Sequence, residues 1–330
     1  MSNLPFFVAE ISANHCGSIK KAKKLMLNAK KYGADAIKIQ TYKPETMTLN
    51  SRNKIFKIKN GLWKNYYMWD LYKKAFTPYE WHKELFNYAK KIKITLFSTP
   101  FDTSAVDLLE TLNCPIYKVA SFELTDLPLI KKIASTKKPM IISTGLANLR
   151  EISEAVKVAK QNGCKNLTLL YCVSNYPSKI SDFNLHNIQI LKKKFKCKVG
   201  LSDHSKDNIV AITAVASGAE IIEKHIGLDT KSKGLDMEFS ISGSEILKFK
   251  KDILTAKKLI GKKKFVRNPS EDHNKLFRRS IYVIKDIKKG ERFTTNNLKI
   301  LRPALGLKPK YYPKLLGKIS LKNLKKNTPF

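Results

Sequence analysis

Short apolar runs closed by polar residues recur along the first four-fifths of the chain, and between them apolar positions return every three or four residues. Eight runs read as strands: Phe6–Ser12, Ala36–Tyr42, Ile94–Phe101, Ile116–Ser121, Pro139–Gly145, Leu167–Ser174, Lys198–Ser205 and Ala219–Ile226. The stretches between them, such as Leu149–Gly163, carry helical period, and several end on Gly or Asn just before the next strand (Tyr32-Gly33, Asn162-Gly163, Ser217-Gly218), which is helix-stop chemistry. Strand alternating with helix implies parallel strands joined by crossover helices. Eight such units in about 260 residues predict an α/β fold of the (β/α)8 TIM-barrel type, since a doubly wound sheet usually has fewer. Only 42–81 departs from the alternation, and it reads as a long loop after the second strand.

Past Lys263 the pattern shortens to strands and turns, as in SIYVIKDIKKGERFTTNNLKILRP. The expected organisation is a barrel over 1–263, a charged linker over 264–275 and a small β-rich domain over 276–330.

Composition narrows the class. No stretch approaches the roughly 18 to 20 apolar residues of a membrane span. The N-terminus MSNLPFFVAEIS lacks the basic start of a signal peptide, so the expected location is cytoplasmic. Five cysteines without a CxxC pair argue against a disulfide framework or a zinc-finger site, and they read as plain reduced thiols. The net charge of +36 attracts anions in general. Its lysines are scattered over helical segments with no Arg/aromatic stripe or nucleic-acid-binding signature, so solvated helix faces explain them and no nucleic-acid partner is expected.

In a barrel of this kind, chemistry sits at the C-terminal ends of the strands. Those ends carry Glu10 with Asn14-His15, Lys38 with Gln40, Ser98-Thr99, Lys118 with Ser121 and Glu123, Ser143-Thr144, Ser174 with Tyr176, Ser202 with Asp203-His204, and Glu223-Lys224-His225. A purely structural layer would be Val, Ile and Leu. His204 and His225 stand at equivalent points of consecutive strands, about 4.8 Å apart, and can share one divalent ion while leaving catalytic positions open. Asp236 can hold an ion-bound water, and Asp203 can orient a neighbouring strand. Lys38 and Lys118 follow apolar residues inside strands and need anionic partners. With Ser98, Thr99, Ser121, Ser143 and Ser202 nearby they suit a phosphate and a carboxylate; a Schiff-base lysine, as in an aldolase, is the alternative. Glu10, Glu123 and Glu223 are either partners of those lysines or proton carriers.

Together the motifs FVAEISANH, AIKIQTY, FSTPFD, YKVAS-E, IISTG, GLSDHS and IEKH followed by GLD resemble the sialic acid (nonulosonic acid) synthase family from Phe6 to about residue 240. The tail from Arg278 resembles that family's antifreeze-like (SAF) domain. The resemblance implies a metal-dependent transferase that condenses phosphoenolpyruvate with an amino-sugar aldehyde. It implies phosphoenolpyruvate binding by Lys38, Thr99, Lys118, Ser121, Ser143 and Ser202, with Mn2+ or Mg2+ on His204 and His225. Glu10, Gln40, Tyr176 and Asp236 match positions that meet the acceptor sugar or its water. It also implies a domain-swapped homodimer in which Arg302 enters the partner's site.

Within the family, GLWKNYYMWDLYKKAFTPYEWH resembles the pseudaminic acid synthase branch, whose acceptor is a diacetamido-trideoxy hexose, 2,4-diacetamido-2,4,6-trideoxy-β-L-altropyranose. That segment, with Trp63, Trp69 and Trp81, is either a packed aromatic cluster or a lid over such a sugar. Asn65, Met68 and Tyr79 differ from the branch's usual Gly, Leu and Trp, and Cys16 from the Glu common in the wider family. Legionaminic or N-acetylneuraminic acid synthesis is the alternative activity. A basic carbohydrate- or nucleic-acid-binding protein is a further one, but it leaves the polar strand ends unexplained.

Overall fold

The computed structural model describes residues 4–229, 234–261 and 264–330. The chain divides into two compact units, Met1–Gly261 and Lys262–Phe330; the boundary expected at 263 lies outside the described residues.

The first unit is a closed parallel barrel. Its strands are β1 (Phe6–Glu10), β2 (Ala36–Thr41), β3 (Thr95–Pro100), β4 (Tyr117–Val119), β5 (Met140–Ser143), β6 (Leu167–Cys172), β7 (Lys198–Asp203) and β8 (Ile221–Gly227). Each pairs with the next, and β1 pairs with β8 to close the ring. Each coincides with an expected run, but the polar residues at most run ends leave the ladder. Ser121–Glu123 forms a 3-10 turn, and so does Ser12–His15, where Ser12 takes a left-handed φ of 43° and its N–H donates to Glu10 Oε1 at 2.6 Å. These residues serve the mouth of the barrel instead of the sheet.

Helices surround the ring because each has one apolar stripe. Ile19–Lys31 buries Ala22, Leu25, Met26 and Ala29, the i, i+3, i+4, i+7 face. Leu149–Gln161 buries Ile152, Ala155, Val156 and Ala159, and it starts on a capping box between Asn148 and Glu151. The stretch 42–81 is not the loop expected from the sequence. It contains helices Pro44–Met47 and Met68–Ala75, and Tyr79–Lys91 begins within it. The first two span at most two turns, too short for a 3.6-residue period to show.

Register determines which side chains meet. Glu10 is opposite both Lys38 and His225, Gln40 opposite Thr99, Cys172 opposite Ser202, and Ser202 opposite Glu223. Side chains alternate across a strand, so these residues form an inward polar layer, while Ala9, Ile37 and Ile39 pack outward in the core. Ser98, expected beside the lysines, has the opposite parity. Its hydroxyl donates to Ile39 O at 3.0 Å and sits 2.6 Å from Thr41 Oγ1, away from the interior.

Two fully buried histidines lie in this outer layer. Gly17 N–H donates to His15 Nδ1 at 3.1 Å, while His82 Nδ1 donates to Pro78 O at 3.0 Å and its Nε2 lies 2.8 Å from Thr41 Oγ1. Burial holds both at about 4 instead of 6.5. The unfolded chain binds these protons near pH 6.5 and the folded one only near 4. Stability is therefore complete above 6.5 and is lost as pH falls toward 4. The expected loss is on the order of 3 kcal/mol per histidine. Urea titrations from pH 7.5 to 5 should show a falling midpoint, and a flat profile would contradict neutral burial of the two rings.

The second unit centres on strand Ser280–Val283, antiparallel to Leu298–Leu301 on one side and Thr328–Pro329 on the other. Ile281, Val283, Ile287, Phe293 and Leu298 form its core, with Phe330 edge-on to Phe293 at 5.0 Å. Pro269–Phe277 is a 3-10 run within this unit. Among the described residues no helix is long and apolar enough to cross a membrane.

Candidate active site

The inward layer brings four charged side chains together in the barrel. Lys38 Nζ pairs with Glu10 Oε2 and lies 3.6 Å from Glu223 Oε1; Lys118 Nζ lies 4.0 Å from the same Glu223 oxygen. All four are buried. Lys38 also donates to Thr99 Oγ1 at 3.0 Å, and Ser202 Oγ donates to Glu223 at 3.5 Å. Glu10 and Glu223 are thus both lysine partners, the first of the two roles weighed for them. Glu123 is different: it sits half-buried on the 3-10 turn after β4, not in a strand.

The carboxyls are not equivalent. Burial raises Glu10 to about 7 despite Lys38, and burial likewise raises Glu123 to about 7. Burial also opposes charge on Glu223, but Lys118 and Lys38 hold it below the ordinary carboxylate range. Burial raises Asp236. One carboxylate thus stays ionised while three neighbours sit nearer to carrying a proton, the separation that divides acid from base roles.

Serines surround this group. Gly145 N–H donates to Ser121 Oγ at 3.1 Å, and a Cβ at Gly145 would collide with Ser174 Oγ and come within 2.8 Å of Ser121 Oγ. Ser143 Oγ is buried without a hydrogen-bond partner, as are Glu123 Oε2, Glu223 Oε2 and His225 Nδ1. Among the described residues the others are Glu10 Oε2, which faces Lys38 instead, and the Tyr79 hydroxyl. Buried polar atoms are nearly always satisfied, so their concentration at one mouth marks a place built for a ligand.

His204, just past β7, and His225, in β8, have ring centroids 5.4 Å apart. The Val173 carbonyl, 3.1 Å from His204 Nδ1, accepts from that nitrogen and makes Nε2 the one that can meet a ligand; burial opposes charge on this ring, but Cys172 beside it shifts it above 6.5. Burial holds His225 well below 6.5, in the neutral form that ligates, and Asp236 Oδ2 lies 3.7 Å from its Nδ1. Among the described residues no group of three or more His, Cys, Asp or Glu is placed to hold a metal ion. The two imidazoles by themselves would leave the remaining positions of an ion to water and substrate.

Above these groups opens a cavity of about 470 Å³. Gln40, Glu123, Tyr176, His225 and Asp236 line it, so it joins several of the expected residues. Tyr176 packs on His204 at 4.4 Å. Arg302 belongs to the second unit, where it is exposed and its side chain makes no hydrogen bond or ion pair among the described residues.

Three contributors, Cys172, Phe239 and Thr41, were not singled out from sequence, whereas Asn14 was. Cys172, one of the thiols read as plain, faces inward with Sγ 3.8 Å from His204 Nδ1. Phe239 stacks edge-on to His225 at 4.8 Å. Asn14 Nδ2 donates to Ile226 O at 2.9 Å and Ser240 Oγ at 2.8 Å, while its Oδ1 accepts from Asp236 N–H at 3.3 Å, fixing the loop that carries Asp236. Thr41 Oγ1 bridges the strand to His82. The inward parity of Cys172 relative to Ser174 was the available signal for the first of these.

Residues 25–265 match the NeuB family and residues 278–330 the SAF domain. The chain is 44% identical to "Pseudaminic acid synthase" of Helicobacter pylori, over 98% of this chain and 96% of that protein. It is 39% identical to "N,N'-diacetyllegionaminic acid synthase" of Campylobacter jejuni, over 97% of each. The crystal structure of the N-acetylneuraminic acid (sialic acid) synthetase from Leptospira borgpetersenii, in complex with citrate, superposes with a TM-score of 0.74 at 33% identity, covering 82% of this chain and 90% of that one. With its barrel, its polar mouth and its full-length relatives, the chain belongs to the NeuB family and carries an SAF domain at its C-terminal end.

Proposed function

We propose that this chain condenses phosphoenolpyruvate with 2,4-diacetamido-2,4,6-trideoxy-β-L-altropyranose and water, giving pseudaminic acid and phosphate. The observation that carries the reading is the set of unpartnered buried polar atoms over a two-lysine, two-glutamate centre. The extent of identity to pseudaminic acid synthases supports the choice of acceptor over the legionaminic relatives.

Lys38 and Lys118 bind the carboxylate and phosphate of phosphoenolpyruvate, with Ser143 Oγ, Ser121, Ser174, Thr99 and Ser202 supplying hydroxyls. Glu223 remains anionic and keeps the two ammonium groups in place. C3 of phosphoenolpyruvate forms a bond to the aldehyde carbon of the open-chain sugar, whose oxygen takes up a proton. Water then adds at C2, and the C2–O bond to phosphate breaks. Glu10, Glu123 and Asp236 move the protons, because each is shifted toward neutrality. Gln40 and Tyr176 orient the sugar. A divalent ion of the Mn2+ or Mg2+ type, held by His204 and His225, would supply Lewis acidity toward the aldehyde oxygen. The five thiols are unpaired, in keeping with a cytoplasmic setting. The exposed Arg302 suits entry into the partner's site in a domain-swapped homodimer.

Phosphate release with phosphoenolpyruvate and each of three acceptors, the altrose derivative and those of the legionaminic and N-acetylneuraminic reactions, tests the reading. The altrose derivative should give the highest kcat/KM, and oxygen from labelled water should enter C2 of the product. Label in phosphate would exclude C–O cleavage, and borohydride trapping of Lys38 or Lys118 would favour the Schiff-base alternative. Gly145→Ala, which forces Ser121 and Ser174 aside, should raise KM for phosphoenolpyruvate by about 10-fold, the equivalent of one hydrogen bond to a charged group. An unchanged KM would remove those serines from the binding set.

A further inference from the structure

The cavity has two unlike walls. The barrel side brings Ser12, Gln40, Glu123, His225 and Asp236 among Phe101, Phe122 and Phe239, whereas 42–76 brings Met47, Ile58, Trp63, Met68 and Leu71 beside Tyr42 and Tyr72. Two polar atoms of that second wall are used within the protein, while the Tyr72 hydroxyl stands beside them. Trp63 Nε1 donates to Leu235 O at 3.2 Å, with its ring packed on Tyr176 at 5.3 Å, and the Tyr42 hydroxyl donates to Tyr72 O at 3.4 Å. Met47 and Met68 are half-buried, and both line the cavity.

We infer that this apolar wall seats the C6 methyl of the acceptor and that Met47, Met68 and Leu71 are specificity-determining residues. The inference rests on the acceptor reading above. In that reading C1 must meet phosphoenolpyruvate on the polar side, where Lys38, Lys118 and His225 lie. C6 is at the other end of the open chain and is turned toward the opposite wall. A methyl there leaves no polar atom unpaired. A hydroxyl finds sulfur and hydrocarbon, and loses its water partners. Met68 and Leu71 project from one short helix, Met68–Ala75, which packs against Pro44–Met47, so the three side chains form one continuous surface.

The test compares kcat/KM for the 6-deoxy acceptor and for its 6-hydroxy counterpart of the same configuration, at saturating phosphoenolpyruvate. The natural chain should prefer the deoxy sugar by about 100-fold, the usual limit for an apolar pocket facing an added hydroxyl. Met68→Gln should narrow that preference at least 10-fold, through the sugar KM, with KM for phosphoenolpyruvate unchanged. Met68→Leu should keep it. Where Met68→Gln also disturbs phosphoenolpyruvate binding, Met47→Gln carries the same comparison. Equal rates with both sugars in the natural chain, or an undiminished preference in both glutamine variants, would overturn the inference and leave the acceptor reading standing. No phosphate release with either sugar would instead sink the acceptor reading, and this inference with it.

Discussion

Lys38→Met should lower kcat/KM for phosphoenolpyruvate by roughly 10³-fold, since the variant loses a buried cation that would pair with the anion, and truncating one partner of such a pair costs about 2–5 kcal/mol of binding. Lys38 is the shared cation of Glu10 and Glu223, and its ammonium also reaches Thr99. A methionine of similar length fills the volume but leaves two carboxyls facing each other in the interior. Glu10, which burial already raises to about 7, should then hold its proton to higher pH, so the pH–rate profile should move with the rate. Steady-state kinetics from pH 6 to 9 check both outcomes. A drop in rate with an unmoved profile would mean that Lys38 binds the anion without setting the proton affinity of Glu10. Arginine should not rescue the variant, because a planar fork does not fit where a compact ammonium contacts three groups.

His225→Ala or His204→Ala should abolish measurable turnover, a loss on the order of 10³-fold or more, as expected when a Lewis acid worth several kcal/mol no longer binds. Chelation of the natural protein should have the same effect, reversed by Mn2+ or Mg2+. The informative measurement is ion binding itself. Titration with Mn2+ should give one site per chain in the natural protein and none in either variant, while Lys38→Met retains it. If both histidine variants bind Mn2+ as the natural chain does, the pair is not the ion site.

Much of this was readable from the sequence, for a specific reason. The barrel strands are buried on both faces, so each shows as an unbroken apolar run, and a lysine inside such a run, as at Lys38, cannot be solvated. The equivalent places of His204 and His225, each following one of the register partners Asp203 and Lys224, gave their proximity. What escaped was set by parity and pairing. Ser98 and Thr99 are adjacent in sequence, yet alternation sends one toward His82 and the other to Lys38. The lysines were legible as charges needing partners, but only register shows that Glu10 and Glu223 already serve. Cys172 looked like core because a thiol among Leu, Tyr and Val has no distinguishing pattern. The two short helices of 42–81 draw their stability from contacts outside themselves.

Behind the mouth, Lys224 donates to Asp203 Oδ2 at 3.0 Å and to the Ser205 carbonyl, and both ionic side chains are completely enclosed. Each residue immediately precedes one of the paired histidines, and the two are register partners. This bond pins β7 to β8 at the level where the imidazoles emerge on the opposite face. The spacing of the two imidazoles is therefore set from outside the reaction chamber. An engineer wishing to alter that spacing could work on this hidden clasp and the helices covering it, leaving the inward-facing side chains untouched.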